Sequence, residues 1–343
     1  MGHRPERAPT MRDVADLVGV SLQTVSAVIN DKPGISDDTR ARVLEAIRQL
    51  GYRPYSVARS LRTRQTRTLA LIVSDIANPS FATMASAAEN YAHQYGYSLI
   101  VYNTHDDIER ESSYVRTVAQ RWIDGVLFVS AADSMPNLVA FQAAGTPTVA
   151  IDRIPEDYDG PSVTLDNIQA GRLAAEHLIA LGHTHLATIT GPLRLHIVRE
   201  RRAGFVQTIE SHGLSVSECA MAEGDWTCSS GAEAMTRILD SYPQVTAVFC
   251  ANDRMAIGAM RAIKSAGLRV PEDISVLGID DIEVAAFQMP SLTTLRQSFA
   301  ELGTRAVELL LEIIETRQQQ SSRIIITPIL IKRDSTCPVP VQI

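Results

Sequence analysis

The chain has 343 residues, 32 Lys+Arg against 39 Asp+Glu, and a formal net charge of −7. That length makes two or three domains and buries enough surface to fold without disulfides or metals, and 45% hydrophobic with 21% charged residues excludes disorder throughout. No apolar run reaches the roughly 18 residues of a membrane span, and the opening MGHRPERAPT lacks the apolar segment of a secretory signal. The sequence therefore predicts a cytoplasmic protein, nucleoid-associated if it binds DNA.

The average charge hides an asymmetry. Residues 1–67 hold 12 Lys+Arg and 7 Asp+Glu, a net +5, while the remaining 276 carry 20 and 32, a net −12. A basic head on an acidic body directs attention to nucleic acid at the N-terminal end. In that head, Thr10 and Asp13 read as the cap and acidic first turn of a helix over Met11 to Val18. Val14, Ala15 and Leu17 form its inner face, and Gly19 permits a tight exit. Ser21 caps a second short helix, Leu22 to Val28, with Val25, Val28 and Ile29 apolar. Ser36 caps a third, with Val43, Leu44, Ile47 and Leu50 on one face, and Gly51 ends it.

Two short helices joined through Gly-Val-Ser predict a helix-turn-helix; the plainer alternative is a helical hairpin with a solvated polar face. In the helix-turn-helix geometry the second helix enters the major groove. Leu22, Gln23 and Ala27 then face base edges, while Ser21, Thr24 and Asn30 hold phosphates.

The blocks TMRDVADLVGVSLQTVSAVIN, GISDDTRARVLEAIRQLGYRP and ARSLRT, in this order and spacing, resemble the headpiece of a LacI-type (lactose-repressor family) transcription regulator. The resemblance implies a hinge helix over Tyr55 to Arg64 that folds on DNA, paired with a second subunit's. In it Arg59 is basic and Leu61 matches the position that wedges between base steps in the minor groove. Many family members carry a long polar side chain where this chain has Ala27. Alanine can touch a thymine methyl but cannot hydrogen-bond guanine, so Gln23 is left as the main hydrogen-bonding base reader.

From Leu69 the pattern becomes short β-branched runs alternating with helical stretches: TLALIVSD, YSLIVYNT, DGVLFVS, TPTVAID and SVTLD, then HLATITG, AVFCAND and ISVLGIDD. Alternation of this kind means parallel sheets with right-handed crossovers, here in two lobes. No G-x-G-x-x-G follows a strand and no G-x-x-x-x-G-K-[ST] occurs, so no nucleotide cofactor is expected. In open parallel sheets ligands bind at the carboxyl ends of strands, where Asp152, Asn252 and Asp280 fall, with Asn78, Phe81 and Arg201 close behind strand ends. Asp, Asn and Arg there, with Trp226 and Phe299, would offer a polyol paired polar groups and an aromatic wall. The plainer alternative is that each carboxylate or amide only caps the next helix.

The stretches IANPSF, RERRAGF, EGDWTCSSG, ANDRMAIGAMRAI, ISVLGIDD and LTTLRQSFAELG extend the resemblance to the family's effector-binding core, similar to periplasmic sugar-binding proteins. It implies that Asp152, Arg201, Asn252 and Asp280 contact ligand, that Phe81 and Phe299 wall the pocket, and that Trp226 stacks on a sugar ring.

The expected fold is an all-α helix-turn-helix headpiece plus an α/β core of two parallel-sheet lobes. The expected boundaries are headpiece 10–54, hinge 55–67, first lobe 68–163 with 296–325, and second lobe 164–295 with 326–340. No nucleophile motif, metal site or cofactor is expected, so the protein is not an enzyme. Cys219, Cys228, Cys250 and Cys337 show no C-x-x-C and read as reduced thiols. His183 and His185 read as structural. The end KRDSTCPVPVQI lacks heptads, so a homodimer is expected rather than a tetramer. The implied function is repression through a pseudo-palindromic double-stranded operator, controlled by a sugar bound between the lobes. The alternatives are a purine co-repressor in the same role, or a sugar-binding module without regulation.

Overall fold

The computed structural model describes residues 9–52, 65–120, 123–133, 135–215, 217, 220–318 and 321–339. The chain forms two compact units that divide between Thr66 and Arg67.

The first unit is three helices: α1 (Met11–Val18), α2 (Leu22–Ile29) and α3 (Asp37–Leu50). Thr10 and Asp13 close a capping box, with the Thr10 amide donating to Asp13 Oδ2 at 2.6 Å. Gly19 takes φ 71° and donates to the Ala15 carbonyl, a left-handed turn that glycine makes without steric cost. Val14, Ala15, Val18, Val25, Val28, Val43 and Ala46 make the core. Leu17 and Leu44, expected inside, are exposed. The apolar stripe on each helix is narrow, and Val14 and Val18 on α1 and Val43 and Ala46 on α3 fill it. Leu17 and Leu44 are left outside it.

The second unit holds two six-stranded sheets. The first has the order β11-β5-β4-β3-β1-β2. It comprises β1 (Thr68–Val73), β2 (Ser98–Asn103), β3 (Gly125–Phe128), β4 (Thr148–Ile151), β5 (Ser162–Leu165) and β11 (Arg323–Ile326), all parallel. The second has the order β12-β10-β9-β8-β6-β7. Its strands are β6 (Leu186–Thr190), β7 (Met221–Glu223), β8 (Ala247–Cys250), β9 (Ser275–Asp280), β10 (Thr293–Arg296) and β12 (Ile329–Ile331). Only β12 runs antiparallel, against β10.

The chain passes between lobes after Leu165, after Arg296 and after Ile326, slightly later than the expected boundaries. A strand belongs to the sheet that completes its ladder, and β10 pairs with β9 out to Arg296↔Asp280. In both sheets the strand order reverses beside the first strand, which opens a crevice at the carboxyl ends. The first lobe carries α4 (Pro79–Gln94), α5 (Ile108–Gln120), α6 (Pro136–Ala143) and α12 (Phe299–Thr316). The second carries α7 (Asn167–Ala180), α8 (His196–Ser211), α9 (Cys228–Ser241), α10 (Asp253–Ser265) and the short α11 (Glu283–Ala286). Glycines set how closely two of these pairs approach: a Cβ on Gly204 would lie 2.1 Å from the Ile168 carbonyl, and one on Gly258 1.9 Å from that of Cys228.

Histidines tie Thr336 and Cys337 to the second lobe. His183 Nδ1 lies 3.0 Å from Thr246 Oγ1, and its Nε2 donates to the Cys337 carbonyl at 3.0 Å and lies 3.1 Å from Ser275 Oγ. His177 meets Thr336 Oγ1 at 3.0 Å, and burial pushes its pKa down to about 4, helped by the Lys332 charge. The exposed His185 meets the Tyr242 hydroxyl at 3.2 Å. A histidine depressed in the folded state takes its proton first in the unfolded chain. Its stabilisation is therefore complete above pH 6.5 and lost as pH falls from 6.5 toward 4, by about 3 kcal/mol. His177→Gln should flatten the fall in melting temperature over that window, read by calorimetry; an unchanged slope would refute the assignment. Among the described residues no helix is long and apolar enough to cross a membrane.

Candidate functional site

Each lobe delivers polar side chains to the crevice from strand ends. Asp152 follows β4, Asn252 follows β8, and Asp280 ends β9. Asn78 caps α4 behind β1, its Oδ1 accepting from the Ser80 amide at 3.2 Å. Arg201 projects from α8, Trp226 precedes α9, and Phe299 opens α12. The eight residues singled out in the sequence line one pocket with Arg153, Ile197, Ala251 and Gln297, with a cavity volume of about 20 Å³.

The polar groups are fixed in place. Arg201 is buried; Nη1 donates to the Ala251 carbonyl at 2.6 Å and Nη2 to Asn167 Oδ1 at 2.7 Å. Its Nε and the indole Nε1 of Trp226 are buried with no hydrogen-bond partner among the described residues. A buried donor left unmade costs about 1–3 kcal/mol, so a ligand acceptor there would be stabilised. Gln297 Nε2 donates to Asp152 Oδ1 at 2.6 Å, and Ser80 Oγ donates to Asp280 Oδ2 at 3.1 Å. The second contact bridges the lobes, and the first ties the crossing segment after β10 to the end of β4. Asn252 is spent on structure: Oδ1 accepts from the Met255 amide at 2.8 Å and Nδ2 donates to the Trp226 carbonyl at 3.1 Å. Its capping role and its place in the wall coexist.

Burial raises the Asp152 carboxyl, with Arg153, Gln297 and Arg201 pulling it back. Burial, then the neighbouring Asp253 charge, pushes Asp280 well above the usual carboxylate range, against the pull of Arg201. Burial likewise lowers Arg201, against the pull of Asp280 and Asp152.

Aromatic rings complete the wall. Phe81 and Phe299 meet edge to face at 5.8 Å. The Arg153 guanidinium lies 5.3 Å from both the Phe81 and Trp226 rings and is paired with Asp106. The Trp226 ring rests where a Cβ on Gly191 would come within 2.3 Å. Asp152, Trp226, Asp280 and Asp281 all take positive φ, at 61°, 76°, 131° and 62°. Such residues cost about 1–3 kcal/mol each and gather at ligand sites. Gln297 and Arg153 were missed in the sequence: Arg153 stands behind Asp152 at the end of β4, and Gln297 follows β10, a strand the sequence reading did not pick out.

In the headpiece, Ser21, Leu22 and Gln23 stand exposed at the N-terminus of α2, while Thr24 and Ala27 are half-buried. The Ser21 and Thr24 hydroxyls lie 2.9 Å apart, and Ser21 Oγ caps the Thr24 amide at 3.1 Å. Asn30, expected to hold phosphate, turns back onto its own helix, Nδ2 donating to the Ser26 carbonyl at 2.6 Å. The Ser26 carbonyl also accepts from the Asn30 amide at 3.2 Å, so the side chain takes up its second lone pair. Arg59 and Leu61 lie outside the described residues.

A three-helix unit with an exposed reading helix, followed by two parallel-sheet lobes around a polar pocket, defines a ligand-responsive DNA-binding regulator. Residues 10–55 match the model of bacterial regulatory proteins of the lacI family, and 66–334 that of periplasmic binding proteins and the sugar-binding domain of the LacI family. The chain belongs to the LacI family. It is 38% identical over 328 residues to the HTH-type transcriptional repressor PurR of Aliivibrio salmonicida, covering 95% of this chain and 98% of that protein. It is equally 38% identical over 327 residues to the ribose operon repressor of Escherichia coli K12, covering 95% and 99%. The solved lac repressor dimer bound to operator and the anti-inducer ONPF matches at a TM-score of 0.88 and 32% identity, over 96% of this chain and all of that one. Membership makes the protein a DNA-binding regulator rather than an enzyme.

Proposed function

We propose that the protein represses sugar-utilisation genes in the cytoplasm, at the nucleoid, and that its effector is a neutral monosaccharide held between the lobes. The observation that carries this is the pairing of two buried carboxylates, Asp152 and Asp280, with the buried guanidinium of Arg201 beside aromatic walls. Carboxylates accept from sugar hydroxyls, the Arg201 Nε donates to a ring or hydroxyl oxygen, and Trp226 covers the C–H face. The same carboxylates repel a phosphate, which favours an unphosphorylated sugar.

The second reading, a purine co-repressor, draws on the equal similarity to the PurR repressor. A thermal-shift panel of unphosphorylated pentoses and hexoses against hypoxanthine and guanine separates the two, since whatever binds only the folded state raises its melting temperature. A shift with one sugar supports the proposal; a shift with a purine alone overturns it.

The reading includes a C2 homodimer on a pseudo-palindromic operator. Leu61 and Arg59 of each hinge enter the central minor groove, and Gln23 with Leu22 and Ala27 reads the major groove, while Ser21 and Thr24 hold phosphates. The exposed Phe287 and Met289 on the second lobe suit a subunit interface; sedimentation as a monomer at micromolar concentration would exclude it. Effector binding that changes the lobe angle by linkage changes operator affinity, about 5- to 150-fold for a coupling of about 1–3 kcal/mol. Operator affinity should fall steeply as salt rises. Gln23→Ala should lower discrimination at one base pair, about 5- to 100-fold for the loss of a bidentate contact. The check is binding to single-base variants of a duplex selected by the unaltered protein; equal weakening on all of them would remove Gln23 as a base reader.

A further inference from the structure

One rim of the pocket carries a set of charges that contact with the effector does not require. Arg199 lies on α8 in the second lobe, two residues before Arg201. Its Nη2 donates to Asp133 Oδ2 at 2.6 Å and to Glu156 Oε2 at 2.7 Å. Those carboxylates stand on first-lobe loops, Asp133 between β3 and α6 and Glu156 after β4. The Glu156 amide donates to Asp133 Oδ1 at 2.8 Å, which binds the two loops together. On the other side, Arg199 Nη1 donates to the Leu193 and Arg194 carbonyls at 3.2 and 3.3 Å. One prong of the fork is thus braced in its own lobe while the other crosses the cleft.

Neighbouring groups reinforce the arrangement. His196 places Nδ1 3.4 Å from Glu156 Oε2 and Nε2 3.3 Å from Glu200 Oε1. Ile154 and Pro155 of the first lobe line one narrow gap with Asp133 and with Leu195 and Ile197 of the second, and Ile197 also lines the pocket of Arg201. Asp133, Glu156 and His196 bring three potential metal-ligand atoms within 4.8 Å of one another. Both carboxylates already face the guanidinium, so the cation of this cluster is Arg199. Another interlobe pair, Arg254 with Asp75 at 3.3 Å, has one contact where Arg199 has two.

We propose that Arg199 is an interlobe latch: a positioning residue whose pairing with Asp133 and Glu156 holds the lobes closed and sets how often the pocket opens. The latch governs entry and release of the effector without touching it. Its consequence for the effector rests on the cleft being the effector pocket, but the opening itself is read without any effector. Failure of the latch and failure of the sugar reading are therefore distinguishable. Two partly exposed ion pairs on one rigid fork correspond to about a three- to tenfold change in the open fraction.

The test uses the full-length chain with Ala251→Cys, a position in the pocket wall. Its alkylation by iodoacetamide is followed by mass spectrometry and resolved from the adjacent Cys250 by fragmentation. When opening and closing are fast, the alkylation rate is proportional to the open fraction. Arg199→Met should raise that rate about three- to tenfold, and Arg199→Lys, which keeps the charge but loses the fork, should raise it less. Asp133→Asn with Glu156→Gln should raise it likewise, and should add nothing once Arg199 is Met. A rate unchanged by Arg199→Met overturns the latch, as does a carboxylate effect that persists in full without Arg199. Should Arg199→Met fail to fold, the carboxylate pair decides by itself: a raised rate supports the latch and an unchanged rate overturns it.

Discussion

Arg201→Ala should abolish measurable effector binding, a loss of at least about a hundredfold, and cost the core about 3–5 kcal/mol. Both effects come from one geometry. The guanidinium is buried, is held by the Ala251 carbonyl and Asn167 Oδ1, and is the charge that pulls against the raised carboxyls of Asp152 and Asp280. Without it, Asp280 loses its cation and Asp152 keeps only the Arg153 charge and the Gln297 amide, so burial drives both carboxyls further toward the protonated form. That removes the charge pattern that reads a polyol. Arg201→Lys should rescue little, because the three donors of an ammonium sit on one nitrogen and lack the planar fork that reaches the Ala251 carbonyl, Asn167 and the pocket at once. Urea denaturation and calorimetric titration with the sugar that shifts the melting temperature most are the measurements. A variant of unaltered stability that still bound that sugar would disprove the pocket's electrostatic logic.

Val25→Asp should abolish operator binding while leaving the core's melting temperature and sugar response intact. Val25 lies fully buried in α2 among Val14, Val28 and Val43. Burying a valine stabilises by about 1.5–3 kcal/mol, and an unpaired carboxylate in its place adds a desolvation penalty. A three-helix unit of this size has too small a core to absorb that loss. The core forms its own compact unit from Arg67 onward, so its unfolding should not follow. Operator binding is read by anisotropy on a duplex selected by the unaltered protein. Retention of specific binding would contradict the assignment of α2 as the reading helix.

The helical ends of the headpiece were legible because each is settled within one turn: Thr10 with Asp13, Ser21 with Thr24, Ser36 with Thr39. The strands β1 to β6, β8 and β9 were legible from β-branched runs bounded by turn residues. The strands β7, β10, β11 and β12 were not, being short and completed by their partners. Asn30 shows a related limit. Sequence shows that an amide stands at a helix end, but not whether it turns outward or back onto Ser26. Leu17 and Leu44 show the limit of periodicity, which names a face without saying how much of it a small core can cover.

By itself the sequence determined where the basic charge lies, where helices begin, and which polar residues end up at strand termini. Those follow from hydrogen bonds and alternation over a few residues. Only the tertiary structure decided which of those residues meet. Gln297 reaches Asp152 across 145 positions and Ser80 reaches Asp280 across 200, because the chain crosses three times between the lobes. The carboxylate partners of Arg199 depend on the crossing after β5, whereas Arg201 finds Ala251 and Asn167 within its own lobe. A helix cap is satisfied by its own neighbours, whereas a buried charge is satisfied by whatever the fold brings to it, and no local pattern records that.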